Sequence, residues 1–463
     1  MEVQVKRSLV VPPPQCDAEE VPFTVFDLCD AEEVPFTVFD LVAPTYHVTV
    51  LFAFSPPNPT IDSLLDALSI TLPHFPILTA RIEHEHEGRR RHPCFVTGKG
   101  GAGALVMEAK VTSSLSDHLP LVPSPELAGL HPLIGSPTEH VLMLQINRFT
   151  CGGLVIAASS HHQAADGFSM NIFFNAWTDI IRRDGAPTEI GRPVPYGPGA
   201  LSPRHPPRCE FEHRGKEFLP RSDGATVARS HEAIDAAVCV VVDPSEINNM
   251  MLHYTNEFVA ELKRRAQDKY TTFETVTTHV WKKITAARGL AADARTSVNV
   301  AVSGRGRLGG TGAVPKEGFL GNLILSASSK ATVREVMAGT LADAAAILRT
   351  GIRAVDRQYF QSFIDFGALH DDDSEPLEKV AAEYDELGML SPNIDSDSWL
   401  HLELHKLDLG CGGQLAGILP GKIPQDGAVV VMPSLKKDGG VDVFVALWEK
   451  HAKEFASIAY TMD

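Results

Sequence analysis

The chain has 463 residues, of which 44 % are apolar and 21 % charged. That composition supplies ample material for a globular core and excludes a disordered, collagenous or coiled-coil chain. Lys and Arg total 41 against 58 Asp and Glu, a formal net charge of −17 that argues against general binding to nucleic acid or an anionic membrane, though a local basic pocket for a small phosphorylated cofactor is compatible with it.

The opening stretch, MEVQVKRSLVVPPPQ, has no apolar secretion core, and no run of about 18 apolar residues follows. The string CDAEEVPFTVFDL then occurs twice in tandem, at 16–28 and 29–41. Two copies are too few for a solenoid, and only one can fill a given place in a fixed core. The second copy runs directly into HVTVLFAF and is the one expected to be used. Tyr46–Phe54 reads as a strand with Val48, Val50 and Phe52 on one face. Ile61–Leu72 has helical spacing. Gly98–Gly103 matches GxGxxG, but a strand-like ALVMEAKV follows where a dinucleotide site needs a helix, so a loop is expected. Val141–Ile146 and Leu154–Ala158 read as a hairpin turned at Gly152-Gly153. Gly167–Arg183 reads as a helix with Phe168, Ile172, Phe173, Trp177 and Ile180 on one face, stopped near Gly185.

From Gly185 the chain turns rich in Pro and Gly, and 191–224 is expected to be a crossover linker. Helices are expected at Thr255–Gln267 and Phe273–Arg288, the second stopped by Gly289. Strands are expected at Val298–Val302, Leu400–Leu404, Ala428–Met432 and Val441–Leu447, and a closing helix at Glu449–Ala459. Strands and helices mix on both sides of the linker, which predicts two α/β domains, 1–190 and 225–463. Seven scattered cysteines form no CxxC pair, so neither a zinc site nor a disulfide framework is expected. A cytoplasmic, reduced, monomeric protein without a bound metal is the simplest reading.

The segment richest in chemistry is Ser159-Ser160-His161-His162-Gln163-Ala164-Ala165-Asp166-Gly167, between an apolar strand and a helix. A histidine at a strand end can be held rigidly while facing a cleft, and its ordinary pKa of about 6.5 suits a general base at neutral pH. Gly167 is expected to let the chain turn sharply into the helix.

The string HHxxxDG after an apolar strand resembles the signature of the plant BAHD acyl-CoA-dependent acyltransferases, and of the wider fold that includes chloramphenicol acetyltransferase. Further landmarks follow in the family's order. Phe319-Leu320-Gly321-Asn322 resembles its YFGN turn. His279-Val280-Trp281 through Arg288-Gly289-Leu290 resembles its "hvW…ARGL" helix. Ser303-Gly304-Arg305-Gly306-Arg307 resembles DxRxR, with Ser at the Asp position. Asp408-Leu409-Gly410-Cys411-Gly412 resembles DFGWG, with Leu for Phe and Cys for Trp. VDRQYFQSFIDFGA at 355–368 resembles the cereal clade that acylates amines such as tryptamine, tyramine, agmatine and putrescine.

The resemblance implies a two-domain α/β fold with mixed sheets and flanking helices, and no permanently bound cofactor. It also implies acyl-CoA as co-substrate and small-molecule partners only. His162 would be the base that deprotonates an acceptor attacking the thioester. The Trp399 indole would stabilise the oxyanion, and Asp166 would pair with an Arg to set the loop. Asp408 is a second catalytic candidate, although physically it reads as an anchor paired with Arg305, with Gly410 shaping its loop. Shikimate-using relatives carry hydroxyl groups where Val48, Val50 and Phe52 stand, so an apolar wall suits an aromatic acyl or indole group. They also use an Arg where this chain has Glu383-Tyr384-Asp385-Glu386. With Asp395 and Asp397 just before Trp399, this favours a cationic acceptor, and Asp397 is the first choice as its partner. An alcohol-using O-acyltransferase, or a ligand-binding relative with weakened catalysis, are the alternatives.

Overall fold

Alternating apolar residues lay down two six-stranded mixed sheets, labelled here in chain order. The first runs β1 (Val3–Val11), β6 (Ala104–Val111), β7 (Leu142–Phe149), β8 (Leu154–His161), β3 (His47–Phe54), β13 (Leu415–Pro420). The second runs β11 (Ile324–Thr332), β10 (Arg295–Ser303), β12 (Ile394–Ser398), β14 (Ala428–Pro433), β15 (Val441–Trp448), β9 (Ile247–Tyr254). A small third sheet holds β2 (Glu32–Pro35), β5 (Arg89–Thr97) and β4 (Arg81–His86). The computed structural model describes residues 1–13, 32–86, 89–132, 138–183, 195–219, 242–315, 318–370, 377 and 392–462. The first copy of the repeat, the acidic run 371–373, Glu383–Glu386 and both ends of the expected linker lie outside the described residues.

β3 and β8 are apolar on both faces because both faces are covered. One face packs on the helix Gly167–Arg182, where Phe52 meets Phe174 at 5.0 Å between ring centres. The other face, through Leu51, Ala53, Val155 and Ala157, shares a core with Val430, Met432, Phe444 and Ala446 of the second sheet. The two sheets therefore meet face to face. Behind the second sheet lies the helix Thr272–Arg288, whose fully buried Trp281 donates its indole N–H to Thr296 Oγ1 at 3.0 Å. Gly289 ends that helix at φ 60°, the left-handed position that a side chain disfavours.

The halves exchange elements. β13, from late in the chain, pairs antiparallel with β3 and completes the first sheet. In return, the short helix Val38–Val42 inserts Phe39 into the second core, 5.1 Å from the Phe363 ring. That helix and β2 belong to the second copy of the repeat, the copy expected to be used. Within the linker region the described stretch 195–219 is fastened down: Asp365 accepts from Arg204 Nε at 2.5 Å and from the main-chain N–H of Arg208 at 2.9 Å.

Two local expectations are corrected. Leu400–Leu404 is not a strand: its alternation is that of a turn followed by the 3₁₀ turn Glu403–Lys406, and the strand is the more polar Ile394–Ser398 just before it. The GxGxxG stretch is a 3₁₀ turn, Gly98–Gly100, leading into β6, in keeping with the loop reading. Among the described residues no helix is long and apolar enough to cross a membrane.

Candidate active site

The loop after β8 is built by capping and by pairing across the halves. The His162 N–H donates to the Tyr46 carbonyl at 3.0 Å, tying the loop to the entry of β3. Asp166 caps the helix Gly167–Arg182, its Oδ1 accepting from Ser169 N at 3.0 Å. Its Oδ2 receives Arg305 Nη1 at 2.5 Å and the Leu323 N–H at 3.0 Å. Arg305 also donates through Nη2 to Ser169 Oγ and to the carbonyls of Phe319 and Gly321, each at 3.1 Å. Asp166 therefore holds the loop with one oxygen on its own helix and the other on the second half.

This placement corrects the expected partner of Arg305: it is Asp166, not Asp408. Asp408 is exposed and its Oδ1 accepts the Gly410 N–H at 2.8 Å, a local turn. Gly410 sits at φ 75°, where a Cβ would stand 3.0 Å from Arg182 Cα. Arg182 is the last residue of a 16-residue helix that begins beside His162. At about 1.5 Å per residue, the Asp408 turn lies roughly 24 Å along that helix from the motif loop. Gly167 is also corrected. Its φ is not left-handed; a Cβ there would stand 3.2 Å from Leu402 Cδ1, a tight approach that glycine relieves.

That contact brings the other wall to the loop. Leu402 N donates to the Trp399 carbonyl at 3.0 Å, and Trp399 N to the Val431 carbonyl at 2.8 Å. Half-buried Trp399 packs against the first half's core and against the core shared between the two sheets. On β12, Asp397 pairs with Val430, whose side chain faces the first sheet, while Ser396 turns the opposite way, to Thr277 at 3.2 Å. Asp397 thus points between the sheets. Protein surrounds it, yet solvent reaches it, so it lines a recess. Burial, and then the charge of Asp395, push its carboxyl up to about 6. Among the described residues no donor reaches it, whereas Asp395 takes an N–H from Asn299 at 2.9 Å.

The facing wall carries His47 and His161, edge to face at 5.1 Å, and the bonded hydroxyls of Thr49 and Ser159. Burial first, with the neighbouring histidines adding to it, pushes His161 down to about 4, so its ring is neutral at physiological pH. Val50 and Phe52 lie on the opposite face of β3, within the core around the motif helix. Val48, on that same face, is half-buried at the start of the strand. A cavity of about 310 Å³ lies alongside Leu400, lined by Asn256, Lys263, Thr272 and the Gly439-Gly440 turn. Among the described residues no group of His, Cys, Asp and Glu could hold a metal. Asp40 was not singled out from the sequence, and Asn322 was noted only as a landmark. The signal for Asp40 was the capping pattern Thr37-x-x-Asp40.

Comparison with known proteins agrees with this architecture. The Transferase family model matches residues 29–462. Tryptamine hydroxycinnamoyltransferase 2 of Oryza sativa subsp. japonica is 34 % identical, with 90 % of this chain and 91 % of that protein covered. Agmatine hydroxycinnamoyltransferase 1 of the same organism is 33 % identical, with 100 % and 99 % covered. The crystal structure of vinorine synthase superposes with a TM-score of 0.66 at 19 % identity, over 98 % of this chain and 96 % of that one. A strand-end histidine loop held across two exchanged halves, in a chain matched over nearly its whole length, makes this protein an acyltransferase of the BAHD transferase family.

Proposed function

We propose that this acyltransferase moves an aromatic acyl group, hydroxycinnamoyl or benzoyl, from CoA to a cationic amine, with His162 as general base. The observation that carries the choice of acceptor is Asp397, a recessed carboxylate without a donor, two residues from Trp399. The full-length likeness to proteins named for tryptamine and agmatine supports it.

An alkylammonium with a pKa near 10 enters beside Asp397 and gives up one proton to solvent. The neutral nitrogen attacks the thioester carbonyl carbon, and His162 takes its second proton. The oxyanion, held by the Trp399 indole, collapses and breaks the C–S bond; His162 returns the proton to sulfur, so amide and CoA thiol leave. The cavity beside Leu400 suits part of the CoA. Lys263 offers a cation there, and Asn256, at the start of the helix Asn256–Arg265, lines the same space. Asp408 and Gly410 keep the late-chain crossover in place and touch no substrate. We further assign 1–190 and 225–463 as the two working halves, joined through 191–224, in a monomer of the cytoplasm.

The purified chain is to be incubated with p-coumaroyl-CoA or benzoyl-CoA and a panel of tryptamine, tyramine, agmatine, putrescine and shikimate, following thiol release and product. Amide formation with at least one amine, and little ester with shikimate, is expected. Preference for shikimate would refute the amine acceptor and leave the acyltransferase assignment intact.

A further inference from the structure

Two buried polar side chains, used by none of the chemistry above, meet beneath the loop that carries His162. Asp40 is 3 % exposed and Asn322 1 %. Asn322 Nδ2 donates to Asp40 Oδ1 at 3.0 Å, to the His162 carbonyl at 2.9 Å and to the Gln163 carbonyl at 2.8 Å. All three partners only accept, so they dictate which end of the amide faces them. The Asn322 main-chain N–H reaches the same Oδ1 at 3.3 Å. The other oxygen of Asp40 receives Thr37 N at 2.8 Å and Thr37 Oγ1 at 2.7 Å. Gln163 Nε2 donates in turn to the Asp40 carbonyl at 3.3 Å. Both main-chain polar groups of His162 are thereby held, the N–H by Tyr46 and the carbonyl by Asn322.

A charged acceptor makes the stronger hydrogen bond, and a fully enclosed one resists rotation of its partner. We infer that Asp40 and Asn322 are positioning residues for the base: the carboxylate locks the amide, and the amide sets the peptide planes that follow His162 and Gln163, which aim the imidazole at the acceptor. The inference rests on His162 as the base. A base works only within about 2.6–3.2 Å of the proton it takes, and a misplacement of about 1 Å can cost 10²-fold.

The test compares D40N, N322A, N322S and H162A in the full chain, measuring kcat, both KM values, the pH profile of kcat and Tm. D27N is the control, because Asp27 holds the corresponding place in the other copy of the repeat. An amide at position 40 keeps one acceptor oxygen instead of two, so its N–H must face either the Asn322 donors or the Thr37 main-chain N–H. D40N and N322A are expected to lose at least tenfold in kcat, with both KM values within about twofold and a displaced acid limb in the pH profile. N322S, which keeps one donor, should fall between, and D27N should match wild type. A lowered Tm with unchanged kcat in folded D40N overturns the inference, as does an equal loss in D27N. Should N322A fail to fold, N322S and D40N carry the comparison. Wild-type turnover in H162A would sink the base itself; an inactive H162A beside a fully active D40N sinks only the positioning role.

Discussion

At the scale of single residues, the proposed mechanism divides the labour between two side chains, and each can be removed without touching the other. His162→Ala is expected to fold normally and lose roughly 10²–10⁴-fold in kcat, the usual range for a general base; near-native turnover would end the mechanism. Asp397→Asn should raise KM for the amine at least tenfold, about 1.4 kcal/mol, and leave KM for acyl-CoA nearly unchanged. The pH dependence has a definite sign. The Asp397 carboxylate takes up a proton as pH falls through about 6, so the attraction for ammonium is present above that value and lost below it. KM for the amine should climb on the acid side in wild type and stay flat in Asp397→Asn. His162 and Asp166 were legible because they lie four positions apart in one string. The partner of Arg305 was not: it lies 139 residues away, and no local pattern distinguishes Asp166 from Asp408 as its mate. Asn322 showed itself only as a landmark, since its role depends on three acceptors from two other parts of the chain.

Among elements, the turn around Asp408 marks where a loop serves the fold. Gly410→Ala would place a methyl against Arg182 at a left-handed φ. A loss of about 1–3 kcal/mol, read from the denaturant midpoint, is expected with kcat of the folded protein unchanged. Asp408→Asn keeps an oxygen for the Gly410 N–H, so its Tm and kcat should both stay near wild type; selective loss of turnover would return Asp408 to the chemistry. Long amphipathic helices and the β7–β8 hairpin were readable because burial imposes one period over many residues. β12 was not, because IDSDS sets Asp395 and Asp397 toward a solvent-reached recess, where a core strand would carry apolar side chains. The alternation of LHLEL next to it comes from packing around the start of the motif helix, with Leu402 against Gly167.

For the whole molecule, two α/β halves followed from the pattern, while the exchange of elements between them did not, since it is a matter of which edge a strand meets. The second copy of the repeat supplies β2 and the helix Val38–Val42. Deleting 16–28 leaves that copy and β1 in sequence, so expression, Tm and turnover are expected to match wild type; an inactive product would mean that both copies are needed. The late arrival of β13 also has a consequence for synthesis. β3 and β8 have both been made by residue 161, yet the partner for the other edge of β3 does not exist until residues 415–420 have been made. At about 5–20 residues per second, a nascent chain carries an open, apolar strand edge for roughly a quarter of a minute to a minute. Ribosome-bound intermediates halted in that interval should be the ones that bind chaperones and aggregate, and release should coincide with emergence of the segment after Cys411.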